Sequence, residues 1–579
     1  MKRLLLIGML ILSLTALALP AFATPVQNLG GLANFYPDDT FLYFGFRTDA
    51  NFLDEIEALA ARFADVSGGD IGEFRAGLDQ IAQEASENDE ATFADTIQPL
   101  LGETGAFGII DAAPMFDEDS SNDNDSGYLF AFSVTDRAAL QNLFTSNGNF
   151  STNYEALEDS GDYAIFTPSA NNNNNAPAYF YFGNSVLLIA TDMALFPQAE
   201  LSARLSDNAD FMDTMNMLPA GDYAAAGFLN INSLLTSFSG AMEGEFQSSE
   251  MMMQMMALYE EAYHGVALGF TVQDQDHLIM DMAVNADMQA IADGMEMPVP
   301  NFSEVDLGFA SRISADAALV FFYPDLAAAI EQGVSQFDAA MEMQQQMLAE
   351  MGADADEIED VENQLAMLQF GIQAVTGGTL EESFGWTTGQ TALAAGIDFS
   401  AFQGSSNGNP TRNPINLIFV AENVEGGAQG LYDGLINFLE QMSSSSDDVV
   451  VSDKALVNGE ATNISITVDD TPFPIEIQIA ITDQIFAVGT VDYVEAALAG
   501  DGGIGASAAF QNATSIMLSE TPFYGYVSIA STADFLGAMA GSAASMEVLS
   551  LFESASMSAH IELPSSTTAR YVISLTPGE

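Results

Sequence analysis

Residues 36–52 read YPDDTFLYFGFRTDANF, and residues 313–330 read ISADAALVFFYPDLAAAI. In both stretches an apolar run follows a turn that contains aspartate, and a helix-like segment follows the apolar run. This pattern predicts a strand that leads into a helix. Aligning Tyr36 with Ile313 also matches further positions: Asp39 with Asp316, Leu42 with Leu319, and Phe44 with Phe321.

The elements that follow the two stretches come in the same order. A glycine-containing turn leads into a strand at residues 101–105 and again at residues 384–389. A strand, a helix-like run and a hairpin come next, and the two hairpins turn at Gly183-Asn184 and at Thr482-Asp483. We interpret this order as a tandem duplication, with domains at 24–297 and 298–579 and a linker near residues 298–300.

The strand patterns predict the fold class. Strands arrive as hairpins, which favours antiparallel sheets, and IEIQIAI (residues 475–481) alternates like a strand with one exposed face. FLYFGF does not alternate, so we expect that strand to be covered on both faces. The prediction is an α+β fold with two similar halves, each with mostly antiparallel sheets packed by helices. Three polar, low-complexity segments are predicted to be loops: residues 117–127, 171–175 and 443–446.

The N-terminus has the layout of a secretory signal peptide at residues 1–23. Lys2 and Arg3 precede the apolar residues 4–19, and Ala21-Phe22-Ala23 supplies a small-x-small cleavage site. Cysteine is absent, which excludes disulfides, thiol catalysis and a lipid-modified cysteine. We expect an exported protein, periplasmic or extracellular, with no transmembrane segment after signal removal.

The chain is strongly acidic. Its formal net charge is −71, and loss of Lys2 and Arg3 would make it −73 and leave Lys454 as the one lysine. Such a charge repels nucleic acid and anionic membrane surfaces, so neither is expected as a partner. Two explanations stay open: a surface that keeps the protein soluble, or adaptation to salt or divalent cations.

Three short motifs carry a family resemblance. They are the Pro-Asp-Asp-Thr opening at residues 37–40, the Leu-Gly-x-x-Gly turn at 101–105, and the strand end Thr191-Asp192 with its second form at 490–492. Together they resemble an exported bacterial domain family of unknown function, catalogued under number 3352. The resemblance implies an extracytoplasmic α+β protein without an established activity, and it brings no catalytic residues to this chain.

Two glycine motifs suggest chemistry that their context opposes. Residues 500–505 match G-x-G-x-x-G, but a dinucleotide site needs that loop after a strand, and here it follows the helix-like run VEAALAG. Residues 404–408 match G-x-S-x-G without the strand and helix that a nucleophile elbow requires. We predict a helix C-terminus for the first and a polar hairpin loop for the second, and no catalytic residue from either.

Metal binding rests on two groups of residues. His264, His277 and His560 lie near strand edges, where structural or surface histidines are usual. An acidic loop offers oxygen ligands that suit calcium, although it lacks the order of an EF-hand. The prediction is no cofactor other than weak calcium binding at this loop, with a solvated loop as the alternative. The candidate ligands are Asp117, Asp119, Asp123 and Asp125.

Methionine is abundant, with 28 residues, and it clusters at 251–256 and 341–351. Both clusters lie in helix-like segments. Ordinary helix packing explains them, and the alternatives are copper(I) binding or an adaptable surface for a partner or lipid.

Two functional hypotheses remain. The first is an exported, highly acidic, non-catalytic envelope or secreted protein with a binding or structural role, whose partner is an envelope protein, lipid or polymer. The second is an extracytoplasmic hydrolase that uses Asp and Glu carboxylates in an inter-sheet or inter-domain cleft. We favour the first because no assembled catalytic set is recognisable in the sequence.

Overall fold

The structure is a computed structural model of the 579-residue chain. The predicted signal peptide and the predicted linker near residues 298–300 lie outside the residues it describes. Those residues are 24–25, 29–67, 72–111, 127–169, 178–196, 203–241, 250–273, 276–294, 303–335, 378–398, 401, 410–446, 448–456, 459–467, 473–531, 550–562 and 566–576.

The chain divides into two compact units. The first runs to Ala290 and includes Leu563–Thr568, and the second comprises Ile291–Glu562 with Ala569–Glu579. None of the described helices is both long enough and apolar enough to cross a lipid bilayer.

The first half of the chain contains strands β1 to β12 and helices α1 to α9. The strands are β1 (Thr24–Pro25), β2 (Leu42–Arg47), β3 (Leu101–Ile109), β4 (Tyr128–Val134), β5 (Tyr154–Asp159), β6 (Tyr163–Pro168), β7 (Tyr179–Gly183), β8 (Val186–Ala190), β9 (Asp222–Tyr223), β10 (Ala225–Leu229), β11 (Tyr263–Gln273) and β12 (His277–Ala286). The helices are α1 (Ala50–Ser67), α2 (Gly72–Ser86), α3 (Phe93–Thr96), α4 (Arg137–Ser146), α5 (Gly148–Asn153), α6 (Ala209–Asn216), α7 (Ile231–Ala241), α8 (Glu250–Ala262) and α9 (Met288–Gly294).

The second half contains strands β13 to β22 and helices α10 to α13, and residues 326–335 are also helical. The strands are β13 (Leu319–Tyr323), β14 (Thr391–Ile397), β15 (Ile415–Glu422), β16 (Val449–Leu456), β17 (Gly459–Ile466), β18 (Ile475–Thr482), β19 (Ile485–Thr490), β20 (Phe523–Ser528), β21 (Phe552–Glu562) and β22 (Ser566–Leu575). The helices are α10 (Leu380–Phe384), α11 (Gln429–Ser445), α12 (Val491–Ala499) and α13 (Ala508–Thr514).

The first unit is built on an antiparallel sheet in the order β12-β11-β10-β2-β3-β4-β8-β7-β6-β5. Strand β2, which contains most of the FLYFGF run, lies in its middle. Leu42 pairs with Ile109 on one side and with Leu229 on the other. The prediction of antiparallel sheets packed by helices in an α+β fold is confirmed.

Both faces of β2 are covered, as its non-alternating sequence predicts. On one face the Tyr43 ring packs edge-on against Tyr36, with ring centroids 5.1 Å apart, and its hydroxyl donates to the Leu29 carbonyl oxygen at 2.5 Å. On the other face Phe46 packs against Phe132. Gly45 permits this close passage, because a Cβ atom there would lie 2.4 Å from the Leu29 oxygen.

Aromatic rings fill the layer between α4–α5 and the sheet. Phe150 contacts Phe180, with centroids 5.2 Å apart, and Phe166, at 5.5 Å. Phe182 is 1% exposed and lies 5.6 Å from both Phe144 and Phe166. We call these residues with Tyr154 the ring cluster; edge-on packing of this kind adds stability beyond the burial of area.

The second unit has its own antiparallel ladder in the order β21-β20-β13-β14-β15-β19-β18-β17-β16. One face packs a core that includes Phe322, Tyr524 and Phe510 of α13. The other face packs α11 and Trp386, whose ring centroid lies 5.6 Å from that of Phe486.

The prediction of a loop at residues 443–446 is wrong for its first three serines. Helix α11 runs to Ser445, and the hydroxyls of Ser443, Ser444 and Ser445 donate to carbonyl oxygens three residues earlier, at 3.1, 2.7 and 2.9 Å. Serine bonds locally to the backbone in this way at helix ends, so its polar composition does not by itself indicate a loop. The loops predicted at 117–126 and 171–175 lie outside the described residues.

The methionine cluster at 251–256 lies in α8, which confirms the helix predicted there. The cluster at 341–351 falls in a part of the chain that the structure does not describe.

Candidate functional site

A groove of about 590 Å³ opens in the second unit between α11 and the hairpin β16–β17. Its volume lies within the ~300–1,000 Å³ typical of small-molecule sites. We call it the Tyr432 groove. Its lining residues are Tyr432, Asp433, Ile436, Asn437 and Glu440 from α11, and Asp453, Lys454, Gly459, Glu460, Ala461 and Thr462 from the hairpin.

Helix and strand periodicity bring these side chains to one place. On α11, Asp433 and Asn437 are four residues apart and therefore lie on one helix face. On the hairpin, Asp453 pairs with Thr462 and Ala455 pairs with Glu460. These pairs are two residues apart, so Asp453, Thr462 and Glu460 point to the same face of the sheet.

Two buried hydroxyls form the floor of the groove. Tyr432 is 5% exposed and Thr462 is 2% exposed, and their hydroxyl oxygens lie 3.1 Å apart. Each hydroxyl carries one proton, and their mutual hydrogen bond uses one of the two. Within the described residues neither hydroxyl makes another hydrogen bond, so one of the two O–H protons is left over from their mutual bond.

Burial raises the pKa of the Tyr432 hydroxyl. The hydrogen bond with Thr462 lowers this pKa, and the negative charges of Glu460, Asp453 and Asp433 raise it again. The carboxylates are thus close enough to act on the hydroxyl electrostatically. Tyr432 therefore stays protonated at neutral pH and keeps its ability to donate.

The walls of the groove are acidic and exposed. Asp433, Glu440, Asp453 and Glu460 are all exposed side chains. Lys454 also borders the groove, but its Nζ lies 2.5 Å from Glu495 Oε1 of α12, so its charge is already matched. The groove is therefore net negative, and it can accept hydrogen bonds from ammonium or hydroxyl groups.

In the first unit, aromatic rings fill the layer between α4–α5 and the sheet. There β6 carries Phe166, which pairs with Phe180 of β7 and belongs to the ring cluster. In the second unit β17 carries Thr462, which pairs with Ile479 of β18. Thr462 is small and polar, and it lines the Tyr432 groove.

A second cavity, of about 220 Å³, lies between α1, α2 and α3 in the first unit. It is smaller than the ~300 Å³ at the lower end of ligand sites. Asp79, one of its lining carboxylates, already accepts a hydrogen bond from the backbone N–H of Phe93 at 2.8 Å. The Tyr432 groove is therefore the stronger candidate.

A buried ion cluster joins β2 to α1. Arg47 is 4% exposed and binds Asp49 through two hydrogen bonds, of 2.7 and 2.8 Å, while Asp49 also caps α1 by accepting from the N–H of Phe52. Glu55 Oε2 lies 3.7 Å from Arg47 Nη1, and neither carboxylate oxygen of Glu55 has a hydrogen-bond donor in the described part of the chain. Burial raises the pKa of Glu55 to about 7, although Arg47 opposes this effect.

Because the pKa of Glu55 is raised, we expect Glu55→Gln to stabilise the folded protein by an amount that depends on pH. Between pH 4.5, the ordinary value, and about 7 the folded protein binds a proton at Glu55 that the unfolded chain has lost. The stability contributed by this group therefore falls as pH rises, and the full penalty is present above pH 7. Glutamine imitates the neutral acid, so we expect Glu55→Gln to raise the free energy of unfolding by about 1–3 kcal/mol at pH 8 and by much less at pH 5.

Denaturant unfolding of both proteins at pH 5 and pH 8 measures this difference. Glu155→Gln on β5 is the matched control, because it removes one charge at an exposed position. Equal effects of the two substitutions at pH 8 would contradict a penalty specific to Glu55.

The residues considered as metal ligands are the aspartates of the acidic loop and the histidines. Asp117, Asp119, Asp123 and Asp125 lie outside the described residues, so weak calcium binding there stays a prediction. His264 Nδ1 lies 3.4 Å from Asp210, and His277 is buried at the start of β12. Among the described residues no three His, Asp or Glu side chains are arranged to hold a metal ion.

The G-x-G-x-x-G stretch follows a helix, as predicted. Helix α12 ends at Ala499, and Gly500 is its left-handed C-cap with φ of 64°. Arg312 completes this helix end by donating from Nη1 to the Ala497 carbonyl oxygen at 3.0 Å. The stretch therefore has a packing role here. The G-x-S-x-G stretch lies outside the described residues.

Sequence reasoning missed the residues of the Tyr432 groove. The four carboxylates of the groove do not stand out in a chain that has 82 acidic residues. Tyr432 and Thr462 are separated by 30 residues, so no local motif joins them. The one available signal was Lys454, the isolated lysine, which lies at the rim.

A family model described as "Protein of unknown function (DUF3352)" matches residues 3–575. This match confirms the resemblance drawn from the three short motifs. No curated protein and no solved structure matches the chain.

Proposed function

We propose that this chain, which belongs to the DUF3352 family, is an exported, non-catalytic protein that binds a polymer of the cell envelope. The observation that carries the proposal is the Tyr432 groove, with its exposed carboxylate walls and its buried hydroxyl floor. The signal-peptide layout of residues 1–23 supports export to the periplasm or the exterior.

We also propose that the two units arose by tandem duplication. Their strand orders support this, since β10-β2-β3-β4-β8-β7-β6-β5 and β20-β13-β14-β15-β19-β18-β17-β16 run in the same sequence. Register supports it too: Gly227 pairs with Phe44, and Gly525 pairs with Phe321. On this proposal the binding role belongs to the second half, where Thr462 replaces a ring.

The shape of the groove supports binding over hydrolysis. A hydrolase that uses paired carboxylates needs both beside the reacting bond, with one of them held protonated by a poorly solvated environment. Asp433, Asp453 and Glu460 instead stand on exposed walls. The hydrolase remains the competing hypothesis, and it predicts release of soluble products from the polymer.

Cosedimentation of the purified protein with insoluble envelope polysaccharide tests the proposal. The groove variant Asp433→Asn/Glu460→Gln should lower the affinity for the polymer by about 10-fold or more. Each of the two substitutions removes a charge-assisted hydrogen bond between a carboxylate and the polymer. The matched control Glu155→Gln/Glu476→Gln removes two charges at exposed strand positions away from the groove and should bind normally. Equal losses in both variants would refute groove binding, and soluble sugar in the supernatant would favour the hydrolase.

A further inference from the structure

The floor and the walls of the Tyr432 groove differ in the hydrogen-bonding partners that they require from a ligand. At the floor, the Tyr432–Thr462 pair leaves one O–H proton that needs an acceptor. At the walls, the carboxylate oxygens of Asp433, Asp453 and Glu460 accept hydrogen bonds. A ligand that fits must therefore accept at its buried end and donate on both sides.

Simple cations meet only half of this requirement. A metal ion would contact the carboxylates but has no atom that accepts the floor proton, and no three carboxylates of the described chain are arranged around one point. A polyamine in its charged form carries N–H donors alone. A sugar hydroxyl, in contrast, donates one hydrogen bond and accepts others at the same oxygen.

The groove also offers a modest apolar surface. Ile436 lies between Tyr432 and Glu440 on the lining face of α11 and is half-buried. The C–H face of a pyranose ring could rest on such a side chain while its hydroxyls reach the carboxylates. The volume of about 590 Å³ accommodates more than one sugar ring.

We infer that the Tyr432 groove binds a chain of hydroxyl-bearing sugars, with one sugar hydroxyl accepting from the Tyr432–Thr462 pair and others donating to Asp433, Asp453 and Glu460. This inference rests on the proposed function and specifies its ligand. It distinguishes recognition of a sugar from attraction of any cation by an acidic protein.

Titration calorimetry with defined probes tests the inference at a fixed ionic strength of 0.15 M. The probes are cellotetraose, mannotetraose, galactotetraose and N-acetylchitotetraose, with spermidine and calcium chloride as cations without sugar rings. At least one tetrasaccharide should bind with heat that depends on the groove. Tyr432→Phe keeps the ring and removes the hydroxyl, so it should weaken binding by about 3–10-fold, the usual effect of one neutral hydrogen bond.

Two further variants keep the outcome decisive. Thr462→Val removes the other floor hydroxyl at nearly constant volume and should have a similar effect, while Tyr163→Phe, outside the groove, should have none. Thermal unfolding confirms that each variant is folded.

Failure takes two distinguishable forms. Binding of spermidine alone, reduced by Asp433→Asn/Glu460→Gln but not by Tyr432→Phe, would overturn sugar recognition and leave the groove as a cation site. This inference would be overturned if every groove variant bound the sugars with unchanged affinity. It would also be overturned if none of the four sugars bound. The proposed function is then decided separately by cosedimentation, in which the natural polymer is the ligand.

Discussion

Replacing Phe182 with alanine is expected to lower the free energy of unfolding of the first unit by about 3–5 kcal/mol. The side chain is 1% exposed and lies 5.6 Å, centroid to centroid, from the rings of Phe144 and Phe166. Truncation removes the transfer free energy of the ring and leaves a cavity that rigid neighbouring rings do not fill. It also removes two edge-on ring contacts, each of which contributes about 0.5–1.5 kcal/mol.

Scanning calorimetry and amide hydrogen exchange at β6 and β7 measure the loss, since a chain of two units need not unfold in one step. The matched control is Leu157→Ala on β5, whose side chain is 57% exposed. We expect the control to change stability by about 0.5 kcal/mol or less. A Phe182→Ala loss as small as that of the control would mean that the ring cluster is loosely packed.

Replacing Arg47 with methionine is expected to destabilise the first unit by about 3–5 kcal/mol. Arg47 is the cation of the buried ion cluster, and its removal leaves the carboxylates of Asp49 and Glu55, whose side chains are 20% and 11% exposed, without their partner. An uncompensated charge in a poorly solvated place is costly. Methionine retains most of the apolar stem, so lost packing contributes little.

A double variant separates the charge effect from packing. Arg47→Met/Glu55→Gln should recover part of the loss, because glutamine needs no cation, whereas Arg47→Met/Glu155→Gln should recover none. Denaturant unfolding at pH 8 of the wild type, Arg47→Met, Glu55→Gln and Arg47→Met/Glu55→Gln gives the coupling free energy between Arg47 and Glu55. A coupling near zero would show that Arg47 does not stabilise the Glu55 carboxylate and acts through Asp49 and packing.

Much of the fold follows from local sequence. FLYFGF has no period of two, and both faces of β2 are covered. LVFFY also lacks that period, but burial along β13 alternates: Val320 and Phe322 are buried, and the residues between and beside them are half-buried. The two predicted hairpins form, but each turn lies one residue further along than predicted: Asn184-Ser185 connects β7 to β8, and Asp483-Gln484 connects β18 to β19. Glycine after VEAALA ends a helix because it adopts the left-handed conformation without a Cβ penalty. These features depend on residues close together in the chain.

The candidate site could not be predicted in the same way. Tyr432 meets Thr462 only because α11 packs on the hairpin β16–β17, and Asp453 joins them only because the hairpin register places it opposite Thr462. Helix placement and strand register depend on the whole sheet, which no short motif encodes. The serines at the end of α11 are a different kind of error, because here local chemistry was misjudged. Their polar composition predicted a loop at residues 443–446, but the helix continues to Ser445.

The pairing of Lys454 with Glu495 has a practical consequence for optical labelling. The chain has two lysines, Lys2 and Lys454, and the second is the one lysine among the described residues. Its amine stands at the rim of the Tyr432 groove and is partly exposed. An amine-reactive fluorophore on a protein without residues 1–23 would therefore attach at Lys454 or at the new amino terminus. A dye on Lys454 would stand beside the groove, and its emission would change when a ligand displaces water there.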